Sequence, residues 1–149
     1  MKYSETSIGR IFVIRYEDGD KLPDMVQDFA RDKGIKSGFC IFLGGIKNRS
    51  ELVVGPETDE GMPPVPMHLL LSGTHEVLGV GTLFPDETGN PILHSHAAMG
   101  RKDGTVTGCI RPGIYTWNVL EMILLEFNTP CGIRVYDEKT QFKLLKPDS

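Results

Sequence analysis

Ile92-Leu93-His94-Ser95-His96-Ala97-Ala98-Met99, a turn at Arg101-Lys102-Asp103-Gly104, and Thr105-Val106-Thr107-Gly108-Cys109-Ile110 form the stretch from which the fold can be read. Two short runs rich in apolar and β-branched residues flank a charged, glycine-containing cluster, the signature of two antiparallel strands joined by a tight turn. Side chains at i and i+2 of a strand leave the same face, roughly 7 Å apart at Cα. His94 and His96 can therefore lean toward one point. Neutral imidazole is the commonest metal ligand, but two imidazoles do not close a site. If Gly100 pairs with Thr105, His96 lies opposite Cys109 on one face, and a shift by one residue turns Cys109 away. On the other flank, a register that sets His75 opposite His96, with its turn contracted onto Pro85-Asp86, brings in a third imidazole. A shift by one there presents Glu76 instead. The third ligand is thus His75 or Cys109.

Outward from this hairpin the chain reads mostly as strand. Arg10–Tyr16, Gly38–Ile46, Glu51–Val54, Met67–Leu71, Thr74–Leu83 and Ile133–Tyr136 are β-branched, aromatic or continuously apolar. Tyr115–Phe127 fits a strand by its neighbours, although Val119, Leu120, Ile123, Leu124 and Phe127 also fall at helical spacing. One helix is expected, from about Lys21 to Lys33. Leu22, Met25, Val26, Phe29 and Ala30 form its apolar stripe, Pro23 suits an early helical position, and Gly34 suits the cap. Gly55–Pro66, with four prolines, reads as a surface excursion. The outline is an α+β single domain, 1–149, around a mostly antiparallel sheet with one main early helix.

Composition narrows the function classes. The 149 residues carry a net charge of −4, a poor generic match to a nucleic-acid backbone. Cys40, Cys109 and Cys131 are odd in number, widely spaced and set among apolar neighbours, as reduced buried thiols are. With no signal-peptide pattern and no apolar run long enough for a membrane span, a cytoplasmic protein without membrane contact is expected. Neither a phosphate-binding glycine loop nor a Gly-x-Ser-x-Gly elbow is present. Arg101 and Arg111 can grip a carboxylate or phosphate bidentately or simply line turns. Glu76 and Glu121 lie within apolar stretches, where a carboxylate needs a partner such as a metal-bound histidine's second nitrogen. His68, beside Leu69-Leu70-Leu71, reads as a half-buried strand histidine.

The segments His75-Glu76-Val77-Leu78-Gly79-Val80-Gly81-Thr82, Pro91 through Arg101, and Thr107-Gly108-Cys109-Ile110-Arg111-Pro112-Gly113 together resemble the plant and prokaryote conserved (PPC) domain family, also known as DUF296, in its stand-alone prokaryotic branch of archaeal type. The likeness extends over essentially the whole chain. It implies an α+β domain assembled as a homotrimer, with a metal, zinc or another divalent transition ion, at His94 and His96. It implies His75 as the third ligand, with Cys109 as the alternative, because many members carry histidine where this chain has Cys109. Glu76, Arg101 and Arg111 are then candidates to support the site or bind a ligand. Plant members join this domain to AT-hooks that enter the minor groove through an Arg-Gly-Arg core. This chain has no Arg-Gly-Arg and an acidic balance, so DNA is a disfavoured partner.

Three functions follow as expectations. The leading one is a trimeric metal-binding protein that takes a small ligand at an open metal position. The second is a non-enzymatic module that recruits DNA or protein and holds a structural metal. The third is a metal-dependent hydrolase or lyase.

Overall fold

A computed structural model describes residues 1–148. The described residues form ten strands and one short helix, so the chain is more sheet-rich than the expected α+β balance. β1 (Ile8–Glu17), β3 (Gly38–Ile46), β4 (Glu51–Pro56), β5 (Pro66–Leu70), β6 (His75–Pro85) and β7 (Pro91–Arg101) all join one antiparallel sheet through β8 (Gly104–Phe127) or its neighbours. Pairings run from β8 through β7, β6 and β3 and back to β8, so the sheet folds round on itself. A separate hairpin follows, of β9 (Gly132–Asp137) and β10 (Phe142–Pro147). β10 has no counterpart in the sequence expectations, because Lys143 and Lys146 interrupt the apolar pattern of this short segment.

The stretch expected to hold two strands, one ending near Ile110 and one beginning near Tyr115, is a single strand of 24 residues. Its helical spacing is overridden by pairing, since Val119 to Phe127 lie against β1 and Thr116 to Glu126 against β3. Pro112 is tolerated inside it because β4 pairs Val53 with Cys109 and Glu51 with Gly113, leaving an irregularity where no ladder bond is required. A second irregularity faces Gly44, which has a φ of 144° and pairs with Leu120, while Gly45 pairs with Trp117. A Cβ on Gly44 would run into the backbone of Val119 and Leu120, so glycine is required there.

The helix α1 spans Asp24–Lys33, shorter at its start than expected. Lys21 and Leu22 instead form a two-residue strand, β2, against Tyr115 and Ile114. Gly34 ends the helix in the left-handed region, its N–H returning to the carbonyls of Ala30 and Arg31. Val26 and Ala30 pack into a core with Leu22, Phe42, Ile46, Leu83, Met99, Ile110, Leu120 and Leu124, all essentially sealed from solvent. Gln27 tethers α1 to β7, its Oε1 accepting the Leu93 N–H at 3.0 Å. Burial alternates cleanly along β7. Leu93, Ser95, Ala97 and Met99 face inward, while His94 and His96 face out.

Candidate metal centre

The hairpin register sets the site. β7 and β8 pair Gly100 with Thr105 and His96 with Cys109, the alignment expected from the short turn. His94, His96 and Cys109 consequently share a face, and one nitrogen or sulfur from each lies within 4.8 Å of the others. The Nε2 atoms of His94 and His96 are 3.2 Å apart, with the rings nearly perpendicular at 82°. Two imidazole nitrogens at that distance need a shared proton or a shared cation. Around a tetrahedral ion with Zn–N bonds near 2.05 Å the separation is about 3.3 Å, so the pair fits one metal. Two nitrogens and a sulfur are also a donor set that zinc favours, and three protein ligands leave a fourth position open. The residues present therefore fit the group.

His75 is placed elsewhere. β6 pairs Val80, not His75, with His96, because the β6–β7 turn spans residues 86–90 rather than contracting onto Pro85-Asp86. The turn is built by Asp86, whose Oδ1 accepts the N–H groups of Thr88 and Asn90, each at 3.0 Å, with Gly89 at a φ of 85°. His75 sits five residues up the strand, about 17 Å away at 3.3 Å per residue. There its Nδ1 meets the Gly73 carbonyl at 3.0 Å, in a shallow second cleft with Glu76 and Arg101. Arg101 donates to the Ser72 carbonyl at 3.3 Å. Thus the expected His75 register is corrected, and Glu76 and Arg101 stand apart from the histidine pair. Glu121 is exposed on β8 opposite Arg15. His68 is exposed rather than half-buried, with its Nδ1 2.5 Å from Glu51.

Of the two arginines singled out from sequence, Arg111 does reach the site. It lines a cavity of about 820 Å³ together with His94, His96 and Cys109, its guanidinium 4.7 Å from the centre of the Phe142 ring. The opposite wall is the β9–β10 hairpin, which contributes Arg134, a residue the sequence reading did not single out. Arg134 is only 4% exposed. One of its terminal nitrogens donates to Thr82 Oγ1 at 2.9 Å and to the Thr82 carbonyl at 3.3 Å, while its buried Nε has no partner among the described residues. A lone arginine within Gly132-Ile133-Arg134-Val135-Tyr136 was the available signal. The hairpin is held in place by Asp86, 6% exposed, which accepts from Lys143 on β10 at 2.7 Å. That ion pair, helped by the Thr88 and Asn90 hydrogen bonds, holds the Asp86 carboxyl far below the usual carboxylate range.

Burial and these cations together set the electrostatics of the site. Loss of hydration lowers the His94 imidazole to about 4, and the neighbouring Arg134, His96 and Arg111 charges push in the same direction. A neutral imidazole keeps its lone pair for a metal.

Comparison with known proteins settles the family. A model described as the Plants and Prokaryotes Conserved (PCC) domain matches residues 3–128. The chain belongs to that family. The fold of this PCC-domain chain is shared by a metal-containing protein of Archaeoglobus fulgidus, at 21% identity and a TM-score of 0.82, covering 98% of this chain and 99% of that one. A plant- and prokaryote-conserved (PPC) protein of Pyrococcus horikoshii superposes with a TM-score of 0.80 at 21% identity over 100% of this chain and 99% of that one. A "putative dna binding protein" of Bacteroides thetaiotaomicron gives 0.73 at 20% identity over 99% and 98%. Among curated proteins, the bifunctional protein GlmU of Synechococcus sp. (strain JA-3-3Ab) is 27% identical over 119 residues, 78% of this chain. This PCC-domain chain spans only 17% of the length of that relative.

Proposed function

We propose that this PCC-domain protein is a homotrimer that binds one divalent transition metal per chain, zinc in the first instance, through His94, His96 and Cys109, with a coordination position left open toward the cavity. The observation that carries the reading is the convergence of three soft or borderline donor atoms within 4.8 Å on one sheet face. His75 lies outside the set within one chain. When bound, zinc supplies Lewis acidity at the cavity wall. The chain's own residues would orient the ion, with the buried Cys109 fixing it from below and the exposed histidines facing the opening. The net charge of −4 gives DNA no part in this reading.

Self-association, which the trimer requires, is supported by an apolar face that one chain leaves uncovered. Val13, Ile123, Ile41 and Val80 are opposite one another across β1, β8, β3 and β6, and the same row ends at His96 and Cys109. Val13 is 83% exposed and Leu43 and Leu78 flank the row at 52% and 58%. An exposed apolar patch of this kind marks an association surface. Three buried free thiols also suit a reducing, cytoplasmic setting. Among the described residues no helix is long and apolar enough to cross a membrane.

The test is elemental analysis of purified protein together with zinc titration of the metal-stripped form. The reading expects one zinc per chain, and binding abolished in a His94→Ala/His96→Ala variant. Unchanged zinc binding by that variant would refute it.

A further inference from the structure

We propose that the cavity beside the metal centre binds a small organic acid, its carboxylate held by Arg134 and Arg111 and its apolar body lying against the β9–β10 hairpin. The inference deepens the metal-binding reading, and rests on it only for the open coordination position.

The argument starts from an uncompensated charge. Arg134 is 96% removed from solvent by its 4% exposure, yet among the described residues neither it nor Arg111 meets a carboxylate within ion-pair distance. Its Nε–H is buried and unpartnered. A buried donor without an acceptor is costly, and a buried charge without a counter-charge is more so. Lys143, the other cation of the wall, is already neutralised by Asp86. The fold thus keeps two guanidiniums beside one opening with no carboxylate in ion-pair reach, since Asp24, which also lines the cavity, is paired with Lys21. A metal on His94, His96 and Cys109 would not supply one, since a divalent ion with a single thiolate remains positive.

The shape selects the class of anion. The remaining wall is apolar, from Ile92, Phe142, Leu144 and Leu145. About 820 Å³ is a volume suited to a small organic molecule. Arg134 has one terminal nitrogen committed to Thr82 and its Nε sealed, so its other terminal nitrogen, together with Arg111, is what a planar, singly charged carboxylate reaches from the cavity. Two guanidiniums can also grip a phosphate, so it is the apolar remainder of the wall that favours a carboxylate carrying an apolar body. Phe142, stacked under Arg111, fixes that guanidinium over the apolar side of the cavity.

The experiment titrates the full chain with benzoate, in zinc-loaded and in chelator-treated form, following the Nε–H resonance of Arg134 by NMR and the heat of binding by calorimetry. Benzyl alcohol and inorganic phosphate serve as probes of the apolar wall alone and of charge alone. The expected result is a saturable downfield shift of the Arg134 Nε–H with benzoate, present without zinc and tighter with it. Arg111→Gln, a surface change that leaves the fold intact, should weaken benzoate by about tenfold. Arg134→Lys, which lacks that resonance, is read by calorimetry, where the heat of benzoate binding should be lost while the circular dichroism spectrum stays that of the folded protein. The inference is overturned if benzyl alcohol binds as tightly as benzoate, if phosphate binds more tightly, or if no saturable shift occurs with a folded protein. Zinc binding is measured on the same samples. Loss of zinc affinity with retained benzoate binding defeats the metal reading and spares this one, and the converse result does the reverse.

Discussion

Replacing Asp86 by asparagine should loosen the wall of the cavity and lower stability in a pH-dependent way. The carboxylate is 6% exposed and accepts four hydrogen bonds, from Lys143 Nζ and Thr88 Oγ1 at 2.7 Å and from the N–H groups of Thr88 and Asn90 at 3.0 Å. An amide keeps one oxygen, which still serves the Thr88 and Asn90 donors because they share Oδ1. Its nitrogen, however, faces Lys143 donor to donor. The loss is one charge-assisted hydrogen bond, worth about 1.5–3 kcal/mol. Breaking a wholly buried pair costs about 3–5 kcal/mol, but Lys143 is 42% exposed and can turn to water, so the lower range applies. At about 2–4 °C per kcal/mol for a chain of this size, the melting temperature should fall by roughly 3–12 °C. The folded carboxyl titrates below its unfolded value of about 3.9, so its contribution is full above that pH and is lost as pH falls through the folded value. Thermal unfolding by circular dichroism, at matched protein concentration, should therefore show the full difference at pH 6 and a smaller one at pH 3. A difference within about 0.5 kcal/mol at pH 6, the range of an indifferent surface change, would refute the reasoning, as would one that is independent of pH.

Other outcomes follow from the same packing. A Cβ at Gly79 would overlap the fully buried Phe42 ring, so Gly79→Ala should cost about 1–3 kcal/mol in urea unfolding. Leu120→Ala, at a sealed core position, should cost about 2–5 kcal/mol by the same measurement. Val13→Glu, placed on the uncovered apolar row, should reduce the sedimenting species from the proposed trimer to a monomer while leaving the far-ultraviolet spectrum unchanged. In chelator-treated protein, His94 titrates near 4 folded and near 6.5 unfolded, so stability should rise between those pH values; His94→Ala should flatten that rise in urea unfolding.

Much of this was written in the sequence, in places where local chemistry decides. The turn at Arg101–Gly104 fixes the β7–β8 register, and with it the meeting of His96 and Cys109. Gly38–Ile46 is a strand with those bounds because its continuous apolarity leaves no other use for it. The β6–β7 register was not legible, because it depends on Asp86 capturing the N–H groups of a longer turn while its other oxygen binds Lys143 far along the chain. The register that would have set His75 opposite His96 does not form for that reason. Tyr115–Phe127 carries both periodicities, and only pairing with β1 and β3 chooses between them. Arg134 drew no notice because its importance comes from burial against Thr82 and Phe84, contacts made by a hairpin that docks from the end of the chain.

The most direct measurement of the central claim is the absorption spectrum of metal-stripped protein titrated with cobalt(II), which stands in for zinc and reports its ligands. The account predicts saturation at one cobalt per chain, tetrahedral visible bands and a thiolate-to-cobalt charge-transfer band. That last band should vanish in Cys109→Ser and persist in His75→Ala. A spectrum without thiolate character, or one that His75→Ala abolishes and Cys109→Ser leaves intact, would contradict it.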